Sequence, residues 1–180
     1  MPSMKFSKAP VIDTPRAILR PHRLEDFGAY AAMWTEPAVV RLFGGKPRTR
    51  EESWQRFLRH PSLWSYLGFG YWAVEDRATG RFIGDAGFQD MKRALTPSIE
   101  GYPEAGWSLC TEAQGKGLAS EIVLAFHSWS DANLGCRTVC IINPDNAASL
   151  RVADKCGYRR YGESVYHTEP VILFERPAQG

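Results

Sequence analysis

The sequence predicts a mixed α/β domain: a strand, two helices, three strands, a helix, a strand, a helix and two closing strands. Three observations carry this. Short β-branched and aromatic runs alternate with longer segments of helical periodicity. Turn signals such as Gly44-Gly45-Lys46-Pro47, the stretch 75–80, Gly135 and Gly157 separate them. A strand, a glycine-bearing turn, a helix and another strand follow one another from residue 104 to residue 142, a unit that sets two strands parallel.

The elements follow in order. Residues 1–13 read as a flexible leader and 14–177 as one domain. Ala17 to Arg20 is a short strand. Leu24, Phe27, Tyr30, Ala31 and Trp34 recur at helical spacing, which predicts a helix over 24–34. Thr49 before Glu51 and Glu52 marks a helix start for 52–58. Residues 70–74 and 81–88 read as a β-hairpin across the turn 75–80. Glu104 to Leu109 is a strand, and a long helix begins at about Leu118 and ends at Asn133-Leu134-Gly135. Thr138 to Ile142 is a strand rich in β-branched residues. Residues 146–155 read as a helix ended by Gly157, and 158–166 and 171–174 as an antiparallel pair.

Composition narrows the function. The chain has 180 residues, 44% apolar and 23% charged, with a net charge of +2, so neither a nucleic-acid binder nor a disordered chain is indicated. No apolar run is long enough to span a membrane, and the N-terminus lacks a signal-peptide core; a cytoplasmic location is expected. Cys110, Cys136, Cys140 and Cys156 do not form paired zinc knuckles. His22, His60, His127 and His167 stand apart in sequence, so no metal is expected.

The stretch with most chemical content is Gln114-Gly115-Lys116-Gly117-Leu118-Ala119. A strand that ends in a glycine turn and runs into a helix directs free N–H groups and a positive dipole end at one point, which suits a phosphate or pyrophosphate. The stretch has neither the spacing of a P-loop nor that of a dinucleotide fold.

Its neighbours make the pattern specific. Thr14-Pro15-Arg16-Ala17-Ile18-Leu19-Arg20-Pro21 with Glu25-Asp26 resembles the opening of the RimJ/RimL-type branch of GNAT N-acetyltransferases. Ile83-Gly84-Asp85-Ala86-Gly87 resembles that branch's hairpin strand, and Ala105-Gly106-Trp107-Ser108-Leu109 its cofactor strand. Gln114 to Ala119 resembles the acetyl-CoA motif, Asn143 to Ser149 the pattern NxxNxxS, and Lys155-Cys156-Gly157-Tyr158 the pattern KxGF. The resemblance covers about residues 14–175.

It implies a GNAT fold: a twisted, mostly antiparallel sheet of about seven strands with a central splayed parallel pair, flanked by about four helices. It also implies acetyl-CoA as co-substrate and transfer of acetyl to a primary amine, on a small molecule or a protein N-terminus, by direct attack in a ternary complex. An acyl-CoA-binding module without catalysis, or a preference for a longer acyl group, is the alternative. Gln114, Gly115, Lys116, Gly117 and Ala119 would hold the pyrophosphate, chiefly through backbone N–H groups, and Lys116 is otherwise a surface lysine. Trp107 N–H would face the thioester carbonyl and Leu109 the pantetheine, although the Trp107 side chain also suits the core. Asn143 and Asn146 would bond the cofactor, with capping of a helix as Asn146's other role. The tyrosine acid of many GNATs would fall at Ala153 and is absent. Ser149 would instead stabilise the thiolate, its alternative being a bond to its own helix. Glu104, expected beside an apolar pocket that raises its pKa, is the first choice of general base, with Glu100 second.

On the acceptor side, Phe43 and Trp64 lie beside Gly and Pro breakers and are chosen as cleft lining, with Glu100 and Asp90 as acids that would attract a cationic amine. A homodimer is expected from the C-terminal edge strands and from the resemblance.

Overall fold

The computed structural model describes residues 6–41 and 43–179. Its strands are β1 (Ile12–Asp13), β2 (Ala17–Arg20), β3 (Tyr71–Asp76), β4 (Phe82–Gln89), β5 (Glu104–Leu109), β6 (Thr138–Ile142), β7 (Arg159–Tyr166) and β8 (Glu169–Arg176). Its helices are α1 (Phe27–Met33), α2 (Pro37–Val40), α3 (Arg50–Phe57), α4 (Arg59–Leu67), α5 (Leu118–Asn133) and α6 (Ala147–Lys155). The strands form one eight-stranded sheet in the order β1-β2-β3-β4-β5-β6-β8-β7. Every neighbouring pair is antiparallel except β5 and β6, which run parallel. The expected fold, a mostly antiparallel sheet with a central parallel pair and flanking helices, is the one observed. No helix among the described residues is long and apolar enough to cross a membrane.

Each face of the sheet has its own core. Leu118, Ile122, Val123 and Phe126 of α5 pack on Trp72 and Val74 of β3, Ala86 and Phe88 of β4, and Ala105 of β5. Strand side chains alternate between faces, so Tyr71, Asp85, Glu104 and Gly106 belong to the opposite face. That side is covered by a second cluster of Tyr30, Met33, Trp34, Val39, Val40 and Phe57 from the early helices.

The structure adds elements that the periodicity did not disclose. Strand β1 extends the sheet by pairing Ile12 with Leu19. Residues 6–13, read as part of a flexible leader, pack: Phe6 meets Trp129 edge-on at 5.3 Å, and Trp72 Nε1 donates to Pro10 O at 2.7 Å. Residues 1–5 of that leader lie outside the described residues. Helix α2 begins at Pro37; at the first helical position proline has no hydrogen bond to lose. Helix α4 also carries a proline, Pro61, within its first turn, where it is tolerated. Thr49 opens α3 as expected, with a reciprocal capping box to Glu52.

Candidate functional site

Strand β5 ends at Leu109, and a short 3-10 turn over Thr111–Ala113 leads into residues 114–117. Gly115 and Gly117 take φ values of 74° and 75°, a left-handed conformation that side-chain-bearing residues avoid. Gly117 thereby turns the chain into α5 as its N-cap. Among the described residues, no backbone partner is found for the N–H groups of residues 115–120; the first helical return is Glu121 N–H to Gly117 O at 3.3 Å. The turn thus presents a row of free donors at the positive end of a 16-residue helix. Such a row fits a pyrophosphate.

The turn is braced from two sides. Gln114 Nε2 donates to Leu109 O at 2.9 Å and ties it to the end of β5. Arg16 Nη1 donates to Lys116 O at 2.8 Å from the start of β2. Gln114 therefore spends its side chain on the protein, and Lys116 is exposed.

Beside the turn the sheet opens. Strands β5 and β6 share one register pair, Glu104 opposite Val139, where Val139 N–H donates to Pro103 O at 3.0 Å. Cys110 N–H donates to Ile83 O at 2.9 Å. With β4–β5 pairing in steady antiparallel register, alternation sends the main-chain groups of Glu104, Gly106 and Ser108 to β4. Those of Trp107 and Leu109 point the other way, toward β6 and the gap. Leu109 O is taken by Gln114, and its N–H faces the gap.

Across the gap, Asn146 caps α6, its side-chain oxygen accepting from Ser149 N–H at 3.0 Å. Asn143 Oδ1 accepts from Asp145 N–H at 2.8 Å and shapes the loop before it. Ser149 is half-buried, and no bond from its hydroxyl to the helix backbone is found among the described residues.

The opposite face of β5 carries a polar group that sequence reasoning missed. A Cβ on Gly106 would lie 2.0 Å from Tyr71 Oη, so only glycine lets the tyrosine hydroxyl rest against the strand. Burial pushes the Tyr71 pKa up, and Asp85 and Glu104 add to the rise, while Arg56 and Arg93 oppose it. Glu104 is 4% exposed, but its surroundings are not the apolar pocket expected. Its Oε2 accepts from Arg93 Nε at 2.7 Å and its Oε1 from Gln89 Nε2 at 3.2 Å. Glu100 is exposed in the preceding loop, 3.4 Å from Lys92 Nζ, and Asp90 is held by the same lysine at 2.7 Å. The two acids expected to draw in a cationic amine are thus already paired.

Phe43 and Trp64 differ in setting. Phe43 is 45% exposed and stacks edge-on against Trp34 at 5.3 Å. Trp64 is not in a loop: it lies in α4, 2% exposed, packed against Trp72 and Trp129, with Nε1 donating to Tyr71 O at 3.0 Å. It is a core residue, because the unforeseen helix turns it inward.

His22 and His60, 38 positions apart in the sequence, stack face to face at 4.1 Å and 4°. Asp85 completes the cluster, fully buried, with Oδ2 at 3.4 Å from His60 Nε2. One ligand atom from each of the three falls within 4.8 Å of the others, a spacing that a metal ion could use after rearrangement. The parallel rings send their nitrogen lone pairs along separate planes rather than toward one point. Burial pushes the His22 and His60 pKa values down, although Asp85 acts against this at His60. A lone acid inside the apolar strand 82–88 was the signal available for this cluster.

Residues 16–159 match the model of the acetyltransferase (GNAT) domain. A structure from Bordetella pertussis, described as a GnaT-family acetyltransferase, is 30% identical with a TM-score of 0.83, covering 93% of this chain and 99% of that one. An acetyltransferase from Agrobacterium tumefaciens is 25% identical with a TM-score of 0.79, covering 93% and 94%. The uncharacterized N-acetyltransferase YoaA of Bacillus subtilis is 26% identical over 155 residues, 85% of each chain.

Proposed function

The chain belongs to the GNAT acetyltransferase family, and from that premise we propose that it transfers the acetyl group of acetyl-CoA to a primary amine by direct attack in a ternary complex. The family supports an acetyl-CoA-dependent acyltransferase mechanism in general. The amine acceptor, the RimJ/RimL-type branch and the residue roles are our reading. The observation that carries it is the junction of a donor-lined turn with a strand whose inward N–H groups face a gap.

Acetyl-CoA supplies an activated acyl carbon. In our assignment the N–H groups of residues 115–119 hold its pyrophosphate, and the Leu109 N–H bonds the pantetheine in place of a neighbouring strand. Trp107 N–H is assigned to the oxygen that gains charge as the amine attacks; one such donor contributes about 3–4 kcal/mol to a transition state. Ser149 Oγ is assigned to the departing sulfur, as the RimJ/RimL-type pattern implies where Ala153 replaces a tyrosine. Glu104 is assigned as proton acceptor. Its Oε1 is the atom with the weaker claim on it, an amide at 3.2 Å rather than a guanidinium.

The test is thiol release from acetyl-CoA with a panel of peptides, amino acids and polyamines. Release that depends on one acceptor class supports the reading. Calorimetric binding of CoA with no release on any amine would favour a binding module, and release only with succinyl-CoA would move the donor to a longer acyl chain.

A further inference from the structure

The face of the sheet that carries Tyr71 has more cations than its acids can pair. Helices α3 and α4 turn Ser53, Phe57, His60 and Trp64 inward, all at 4% exposure or less. Arg56 stands three residues after Ser53 and four before His60, so the helix carries it to the same side. It is half-buried. Its guanidinium lies 4.5 Å from the centre of the Trp34 ring, and that of Arg48 lies 4.7 Å from the same ring. Burial and then the charge of Arg56 push down the pKa of both Arg48 and Arg59, so these cations are held against mutual repulsion.

Three acids of this side are already paired, Glu104 with Arg93 and both Asp90 and Glu100 with Lys92. Asp85, fully buried beneath, lies 3.4 Å from His60 Nε2, and neither of its oxygens has a hydrogen-bond partner among the described residues. Among the described residues, Arg48, Arg56 and Arg59 make none of the ion pairs found in the protein. Trp34 Nε1, Arg48 Nε and Arg56 Nε are buried without an acceptor, and none of them is able to accept a hydrogen bond itself. Tyr30 Oη, fully buried close by, is a neutral oxygen on which the charges of Arg56 and Arg48 bear. Buried donors of this kind almost always find acceptors. Beyond that one hydroxyl, the three arginines and Trp34 Nε1 are short of acceptors, and the arginines have no paired anion among the described residues.

We propose that the acceptor amine carries an anionic group, a carboxylate or a phosphate, held by Arg56 and Arg59 beside Tyr71 with Arg48 behind Trp34. The proposal rests on the N-acetyltransferase reading and names its substrate class. Tyr71 links the two regions: its hydroxyl lies against Gly106, next to Trp107, and its ring centre lies 5.5 Å from that of His60, four residues after Arg56. An anion at the arginines would leave the amine end directed at β5. Guanidinium groups suit both carboxylate and phosphate, because their forked N–H donors match either. Polycationic amines would meet repulsion here.

The experiment compares matched acceptors: phosphoethanolamine against ethanolamine, and leucine against leucinamide. Each is assayed with acetyl-CoA on the wild type, Arg56→Gln, Arg56→Lys and Arg59→Gln. We expect the anionic member of at least one pair to be preferred about tenfold or more in kcat/KM. In Arg56→Gln that preference should fall about tenfold, through acceptor KM more than kcat, with Arg56→Lys recovering part of it. Arg59→Gln gives a second variant should Arg56→Gln fail to fold. Preference for the neutral members, or an unchanged preference in both glutamine variants, would overturn the proposal. If no acceptor turns over, calorimetry of phosphoethanolamine and of leucine on the CoA-saturated protein decides: no binding overturns the proposal, while CoA binding in the same experiment separately tests the donor site.

Discussion

Arg16 and Glu121 sit 105 residues apart in the chain and meet through two hydrogen bonds, Arg16 N–H to Oε1 at 2.8 Å and Arg16 Nε to Oε2 at 2.7 Å. Arg16 Nη1 then reaches Lys116 O at 2.8 Å. One side chain thus joins the start of β2, the first turn of α5 and the carbonyl of the glycine turn. Burial works to raise the Glu121 pKa, but the bonds from Thr14 and Arg16 more than reverse it, so the acid is held below the usual carboxylate range. Arg16→Gln should loosen the turn and weaken CoA binding about three- to tenfold, with little change in kcat. The effect is modest because Arg16 is half exposed to solvent. Calorimetric titration with CoA reads it; an unchanged Kd would show that the turn holds its shape alone.

Gly117→Glu should remove CoA binding altogether. The new carboxylate would stand among the donors assigned to the pyrophosphate and repel it, at a position whose φ is 75°. Left-handed backbone at a residue with a side chain costs about 1–2 kcal/mol, equivalent to a loss of about 2–8 °C in Tm, so a folded variant is expected. Wild-type CoA affinity in that folded variant would end the pyrophosphate assignment.

Ser149→Ala and Asn146→Ala separate chemistry from architecture. The backbone N–H of Ser149 receives the Asn146 cap, and the substitution to alanine leaves that bond in place. Ser149→Ala should therefore keep its Tm while kcat falls about tenfold or more and CoA affinity changes less. Asn146→Ala should lose about 1 kcal/mol of stability with the cap. Turnover and thermal unfolding of both variants are the measurements; an undiminished kcat in Ser149→Ala removes the serine from the mechanism.

The elements around the glycine turn were legible in the sequence, and the opposite face of the sheet was not. Strand β5, the turn after it, α5 and β6 are contiguous in the chain, so motif and spacing placed them correctly. Gly115 and Gly117 announce a left-handed turn by being glycine. The face that carries Tyr71 is assembled from residues distant in sequence: His22 from the loop after β2, Arg56 and His60 from helices, Tyr71 and Asp85 from adjacent strands. Helix α4 was hidden because Pro61 within 59–67 looks like a break, and with the helix went the inward turn of Trp64. The pairing of Glu104 with Arg93 was equally out of reach, since a loop residue's direction is not a property of its local sequence.

Gly106→Ala is a test of the contact between β5 and Tyr71. The added methyl would lie 2.0 Å from Tyr71 Oη, so either the ring or the strand must move. We expect a stability loss of about 1–3 kcal/mol and a large fall in kcat, because Trp107 is the next residue. Tyr71→Phe removes the clashing oxygen, so the double variant should recover part of the lost stability. Urea unfolding of the two single variants and the double variant forms the cycle. Additive effects would mean that the hydroxyl does not rest on the strand.

The buried histidines predict stability that falls on mild acidification. His127 is 1% exposed, packed among Phe88, Phe126 and Tyr158, and its pKa is pushed down to about 3, by burial first and then by the Arg176 cation, against the pull of Asp131. His22 and His60 are pushed down as well, with burial again the leading cause. An unfolded histidine takes its proton near about pH 6.5. Below that pH the unfolded chain binds protons that the folded chain refuses, so stability is complete above it and declines as pH falls toward the folded value. The slope is up to about 1.4 kcal/mol per pH unit for each such histidine. Glu121 and Asp131, both held below the usual carboxylate range, should add their own loss only under more acidic conditions. Between about pH 6.5 and about pH 5 the histidines should therefore dominate. Urea midpoints across that window should fall steadily in the wild type and less steeply in His127→Gln. Midpoints that stay level in the wild type would show that these rings accept protons inside the fold.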